Sequence, residues 1–385
     1  MQATARFAIP TEVVYGVGAS ETIGARALEM GKRVLVVTDP GVVAVGIADE
    51  VEGVIKNAGA SVVRFGEVKS DPDGATVDLA ARLASEQGVD VIVGLGGGSS
   101  IDVAKAVGLL LANGGESIDE YLRGQPISRA IPPLIAVPTT CGTGSEVTTS
   151  AVVLDRARKR KVSLRQGNLL CARLAIVDPL LMTKLPPKLV ATTGIDALTH
   201  AVESYMSLVA SPMTEGCALY AMELIGRHLR PAAANPANLE AIAPMAIAST
   251  ISGFSFGQAS TTLVHCLAHA VGGEVDAPHG LVTAVLLAPV MEFNLPANPE
   301  KFARVAQALG EHVEGLTAVE AARLSIEAIR SLIGDLKIPQ RLSAIGVKPE
   351  HVESIVEAAA AEKRLAQNPR RTSADDIRTI VESCL

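Results

Sequence analysis

Along the first 180 residues, short β-branched runs alternate with stretches whose apolar positions recur at helical spacing. "KRVLVVTD" (32–39), "ASVVRFGEV" (60–68), "VDVIVGLGGG" (89–98) and "IPPLIAVPTT" (131–140) read as strands, because apolar runs of this length, rich in Val and Ile and bounded by Gly, Pro or Asp, suit buried β-structure. Helix-compatible stretches lie around 43–58, 75–87 and 100–112. Strand and helix in alternation build a mostly parallel sheet with helices on both faces. After "LAIVDPLLMTKLPP" (174–187) the pattern changes to long Ala- and Leu-rich amphipathic segments that run to the C-terminus. Pro186 and Pro187 punctuate that change. The pattern therefore predicts an α/β domain over residues 1–184 and an all-α domain over 185–385.

Composition sharpens this picture. A chain of 385 residues exceeds one ordinary core. With 48% hydrophobic residues, 3% aromatics and no Trp, that core is aliphatic, as helix-on-sheet packing allows. A net charge of -7 offers no long-range attraction to nucleic acid or an anionic membrane, and neither is expected as a partner. The basic run "RARKRK" (156–161) reads as a solvated loop or hairpin. Cys141, Cys171, Cys217, Cys266 and Cys384 include no CxxC pair, which suits reduced thiols in a cytoplasm. The stretch "MQATARFAIPTEVVYG" lacks the order of a signal peptide, and no apolar run reaches membrane-spanning length without interruption, so a cytoplasmic protein is expected.

Three stretches carry candidate chemistry. "GLGGGSSIDVAK" (94–105) follows a strand and opens a helix. Its glycines let backbone approach a ligand, and free N–H groups at a helix N-terminus favour an anion such as pyrophosphate. The same stretch also reads as a tight turn packing helix on sheet, and it is not a G-x-G-x-x-G fingerprint in the first βα unit. Asp39 ends the strand "VLVVTD", where a carboxylate would accept from a ribose and repel a 2'-phosphate, favouring NAD(H) over NADP(H). Beside Pro40 and Gly41 it reads equally as a turn residue. "PTTCGTGSEVTTSAV" (138–152) offers hydroxyls and flexible backbone after the fourth strand.

The third stretch concentrates imidazole. The chain has seven histidines, and "LVHCLAHAVGGEVDAPHG" (263–280) holds His265, His269 and His279. In "TTGIDALTHAVESY", Asp196 and His200 stand four apart, on one face of a predicted helix, and His265 and His269 repeat that spacing. A carboxylate with neutral imidazoles suits Fe(II), Zn(II) or a similar divalent ion.

Taken together, "DALTH", "HCLAHAVGGEVDAPHG", "GGGSSIDVAK", "PTTCGTGSE", "IVDP" and "NPRRTSADDI" resemble the iron-activated (group III) alcohol dehydrogenases over nearly the whole chain. The resemblance implies a dehydroquinate-synthase-like, dinucleotide-binding α/β domain followed by a helical domain that holds metal and substrate. It implies a metal, Fe(II) before Zn(II), on Asp196, His200, His265 and His279, with His269 in a proton path instead of a ligand. It places NAD(H) on Asp39, Gly96, Gly97, Gly98, Ser99, Asp102, Thr139, Thr140, Ser145 and Lys161. A homodimer or larger homo-oligomer is implied by kinship alone. The activity implied is hydride transfer between nicotinamide and a small alcohol or aldehyde.

For the substrate, the resemblance puts Arg165 where relatives with neutral substrates tend to carry a small or apolar pocket residue, and Arg364 near a position that lines the same pocket. Two guanidiniums suit a carboxylate, phosphonate or sulfonate, with Ser150, Gln166 and Asn168 as neutral partners and Phe256 completing the set. The expectation is a short aldehyde with an anionic group, such as phosphonoacetaldehyde, sulfoacetaldehyde or a semialdehyde acid. The alternatives are arginines at the surface or paired with acids in a general short-chain alcohol or diol dehydrogenase; a dehydroquinate-synthase-like lyase, which the histidine spacing fits less well; and a non-enzymatic metal-binding protein. Cys141 and Cys266 read as packing residues.

Overall fold

The computed structural model describes residue 4, residues 6–158 and residues 160–385. Lys159 of the basic run, and residues 1–3 and 5 of the N-terminal stretch, lie outside the described residues. The chain divides into two compact units, Ile9–Lys184 and Leu185–Leu385, and Ala8 groups with the second.

In the first unit, strands β1 (Glu12–Tyr15), β2 (Arg33–Val37), β3 (Ser61–Phe65), β4 (Val91–Gly96), β5 (Leu134–Pro138) and β8 (Leu174–Val177) form one parallel sheet in the order β1-β8-β5-β4-β2-β3. Strands β6 (Ser150–Asp155) and β7 (Arg160–Arg165) make a separate antiparallel hairpin. Helices α1 (Ile23–Met30), α2 (Pro40–Ala44), α3 (Ile47–Asn57), α4 (Gly74–Glu86), α5 (Gly98–Asn113) and α6 (Asp119–Leu122) complete the unit.

Because side chains alternate along a strand, the sheet has two buried faces. Leu35, Val37, Ile92, Leu134 and Ala136 pack with residues of α4 and α5. Val34, Val36, Val93, Leu95, Ile135 and Val137 pack with residues of α1 and α3. Burial on both sides explains the near-continuous apolar runs. The pattern along the chain predicts only four of the six sheet strands. β1 and β8 have four residues each, too few to show a period, and β8 runs straight into the proline-rich boundary. The chain leaves β2 toward β3 on one side, while β4 joins it on the other. This reversal of strand order sits between the C-terminal ends of β2 and β4, where open α/β sheets bind ligands.

The second unit is helical, with no strand among its described residues: α7 (Pro187–Met206), α8 (Pro212–Ala234), α9 (Leu239–Ala259), α10 (Leu263–Glu274), α11 (His279–Asn294), α12 (Pro299–Ala308), α13 (Ala318–Asp335), α14 (Val352–Ala360) and α15 (Ala374–Ser383). Proline at a first helical position starts α7, α8 and α12, where its missing N–H costs nothing. A capping box at Ser211/Thr214 adds to the start of α8, and boxes at Thr317/Glu320 and Ser373/Asp376 fix the starts of α13 and α15. One expectation needs correction. Leu239–Ala259 and His279–Ala297 are long and apolar enough to cross a membrane by length and composition. The polar residues and prolines that interrupt the runs in sequence do not interrupt these helices. Both are more than half buried within the fold, as core helices.

Candidate metal centre and cofactor segment

Three helices converge on a cluster of donors. Asp196 lies on α7, His265 near the start of α10, and His279 at the first position of α11. Asp196 Oδ1 is 3.8 Å from His265 Nε2 and 3.8 Å from His279 Nε2. One ligand atom from each of the three falls within 4.8 Å of the others. Gly280 permits the approach of α11 to α7, since a Cβ there would stand 2.5 Å from the carbonyl oxygen of Thr192. Thr283 Oγ1 donates to Asp196 Oδ1 at 3.2 Å.

The orientation of His265 tests whether a metal fits. Its Nδ1 lies 2.5 Å from Glu203 Oε2, while its Nε2 is buried with no hydrogen-bond partner and faces Asp196. An apolar core would not leave an imidazole nitrogen so placed. The donor set and this nitrogen fit a divalent ion.

His200 does not join the three-donor cluster. Its ring stacks on His265 at 4.6 Å between centroids and on Phe256 of α9 at 4.1 Å, so Phe256 stands against an imidazole beside the cluster. His269, one turn beyond His265, also lies outside it, 5.7 Å ring to ring from His279, with Nδ1 3.6 Å from Glu362 Oε1. Glu362 in turn meets Arg364 Nε at 3.3 Å, and Arg364 Nη1 donates to Thr261 Oγ1. Sequence reasoning missed both glutamates. For Glu203 a signal existed, since Asp196, His200 and Glu203 follow at four and then three residues on one helix face.

In the first unit, Asp39, Gly96, Gly97, Gly98 and Ser99, expected to hold a dinucleotide, gather at the reversal of strand order. Gly96 ends β4 with φ +144°, and a Cβ there would meet Ser100 Oγ at 2.5 Å and Asp39 Oδ2 at 2.8 Å. Gly97 precedes α5 and Gly98 and Ser99 open it, with no side chain capping the helix and no acid in its first turn. Amides at such a helix start can receive an anion. Asp39 fits its reading as a turn residue: Oδ1 caps α2 through the amides of Gly41 and Val42, while Oδ2 accepts from Ser100 Oγ. Thr139 is tied to β4 through Gly96 O, and Thr140 Oγ1 is buried without a partner.

Asp102 faces inward, accepting from Ser145 Oγ and the Val152 amide. Burial raises its pKa above the usual carboxylate range, with Lys105 and these donors opposing the rise. Lys161, on β7, gives its ammonium to Asp71 at 2.6 Å. Ser150 and Arg165 face each other across the hairpin, Arg165 Nε donating to Thr149 Oγ1, while Gln166 and Asn168 follow as exposed residues. Burial pushes Cys141 up to about 12 and Cys266 well above the ordinary thiol range, so both are poor thiolates.

Residues 10–179 match the iron-containing alcohol dehydrogenase family, and residues 190–385 match the C-terminal domain of the Fe-containing alcohol dehydrogenase family. A choline dehydrogenase of Bacillus subtilis is 38% identical, over 100% of this chain and 96% of its own length. An NAD-dependent methanol dehydrogenase of Bacillus methanolicus is 38% identical, over 98% of this chain and 99% of its own. The crystal structure of a 1,3-propanediol oxidoreductase superposes with a TM-score of 0.95 at 36% identity, over 99% of this chain and 100% of that one. This chain belongs to the iron-containing alcohol dehydrogenase family. It is a metal-dependent alcohol dehydrogenase, built as an α/β domain followed by a helical domain.

Proposed function

We propose that the enzyme interconverts a short, uncharged primary alcohol or diol and its aldehyde, using NAD(H) and Fe(II). The observation that carries this reading is the Asp196, His265, His279 cluster with His265 Nε2 left for a ligand. Those three residues would hold the ion, with His200 beside them as the fourth. When bound, the ion supplies Lewis acidity to the substrate oxygen and NAD(H) supplies or accepts the hydride. The mixed carboxylate and imidazole set suits iron or zinc, and the family's iron places Fe(II) first.

The helix α5 start, Gly96–Gly98, Thr140 and Asp39 support NAD(H), with Asp39 disfavouring a 2'-phosphate. His269, beside Glu362, is placed to move a proton near the metal centre. Assembly as a cytoplasmic homo-oligomer goes with this reading and rests on kinship.

The uncharged substrate follows from the arginines. Arg364 is already met by Glu362 and Thr261, and Arg165 is exposed on the hairpin beside Thr149. A guanidinium matched by a carboxylate adds no net charge for an anion. The second reading, an aldehyde with a phosphonate, sulfonate or carboxylate, keeps both arginines as substrate ligands.

NADH consumption by metal-stripped protein reloaded with Fe(II) or Zn(II), against size-matched neutral and anionic aldehydes, decides between them. Neutral preference, unchanged in Arg165→Ala and Arg364→Ala, is expected. An anionic preference lost in either variant supports the second reading. Turnover without net loss of NADH overturns both in favour of a lyase.

A further inference from the structure

Glu203 is buried on α7, 3% exposed, and makes three contacts. Oε1 accepts from the Val264 amide at 2.6 Å and from Thr262 Oγ1 at 2.9 Å, and Oε2 faces His265 Nδ1 at 2.5 Å. The Val264 amide can only donate, so Oε1 must accept. Oε2 of a carboxylate can likewise only accept, so Nδ1 must carry the proton. The imidazole lone pair is thereby confined to Nε2, the atom 3.8 Å from Asp196 and without a hydrogen-bond partner.

We propose that Glu203 is a positioning residue for the metal: it fixes His265 as the Nδ1–H tautomer, so that Nε2 is the ligand atom. The inference rests on the metal reading above and adds a residue to it. A carboxylate behind a ligating imidazole both orients the ring and raises its basicity.

The isosteric Glu203→Gln change isolates this role. A carboxamide has one accepting and one donating end. With its oxygen on the Val264 amide, its NH₂ faces Nδ1, drives the proton to Nε2 and blocks the ligand atom. Flipped, its NH₂ opposes the Val264 N–H. Neither arrangement satisfies all partners. Thr262→Val removes one contact to Glu203 but leaves the His265 contact in place.

The test is Zn(II) and Co(II) affinity of the full, metal-stripped chain, by competition with a chromophoric chelator, alongside melting without metal and NADH binding. Glu203→Gln is expected to bind metal about 10–100-fold more weakly, with NADH binding intact, and Thr262→Val to stay within about threefold of the native chain. Native affinity in Glu203→Gln, or an equal loss in Thr262→Val, overturns the inference. Histidine-selective ¹⁵N NMR of the metal-free native chain needs no variant. It should show His265 as the Nδ1–H form, and an Nε2–H form overturns the inference. If the native chain binds neither ion, the functional reading itself falls, and this inference with it.

Discussion

The ammonium of Lys105 lies 2.7 Å from the carbonyl oxygen of Ser145, fully buried between α5 and the segment that follows β5. The carbonyls of Thr148 and Ser150 accept from the same nitrogen at 3.1 and 2.8 Å. Burial pushes the Lys105 pKa down while Asp102 opposes it, but three carbonyl acceptors need three protons, which only the charged form carries. One cation thus gathers residues 145–150 against the helix whose start is proposed to hold the cofactor. Lys105→Met would leave these carbonyls and the Asp102 carboxylate without their cation. A loss of about 3–5 kcal/mol in denaturant unfolding is expected, with NADH binding, read by fluorescence, weakened at least tenfold.

Ser260 joins α9 to α10 with φ 66° and ψ 162°, a conformation that side chains other than glycine rarely adopt. Thr261 and Thr262, which follow it, are held by Arg364 and Glu203. Ser260→Gly and Ser260→Ala both lose the hydroxyl contact to Thr261 O, but only glycine relieves the backbone. The glycine variant should unfold at higher denaturant than the alanine variant, by about 1–2 kcal/mol, and equal midpoints would refute the strain.

Burial alone would raise Glu52, yet hydrogen bonds and charge from Arg64 and Lys56 hold its carboxyl below the usual range. A carboxyl with a depressed folded pKa stabilises above its unfolded pKa, and that stability is lost as pH falls through the folded value. Arg64→Met should therefore cost most at neutral pH, and the difference from the native chain should shrink below about pH 4.5. Chemical denaturation across pH 3–8 checks it, and a difference independent of pH would refute the linkage.

Asp196, His265 and His279 come from three helices, so an ion binding all three stabilises the folded chain alone. At an ion concentration 100 times its Kd, about 2.7 kcal/mol is expected. Calorimetry with metal and with chelator should show a higher Tm when loaded, and Asp196→Asn should lose most of that rise.

The elements legible from the chain are those whose pattern has room to repeat. The four recognised sheet strands announce themselves through buried runs such as "VLVV" and "VIVGLG", whereas β1 and β8 do not. His265 and His279 are legible because imidazole is scarce here, with 7 in 385 residues. Glu203 and Glu362 are hidden among 41 acids, because burial and hydrogen-bond partners are properties of the folded chain. Arg364, which the family resemblance places near a pocket, also meets an acid two residues away in the fold, a pairing that no pattern in the sequence announces.

The chain passes between its two units at Ala8–Ile9 as well as at Lys184–Leu185, and Gln258 Nε2 donates to Ala8 O. The α/β unit is thus an insert within the helical one, not its prefix. Recombining this enzyme with a relative by a single crossover near residue 184 would join a foreign residue 8 to the native helices. A hybrid that keeps the helical unit whole needs two crossovers, one on each side of the insert.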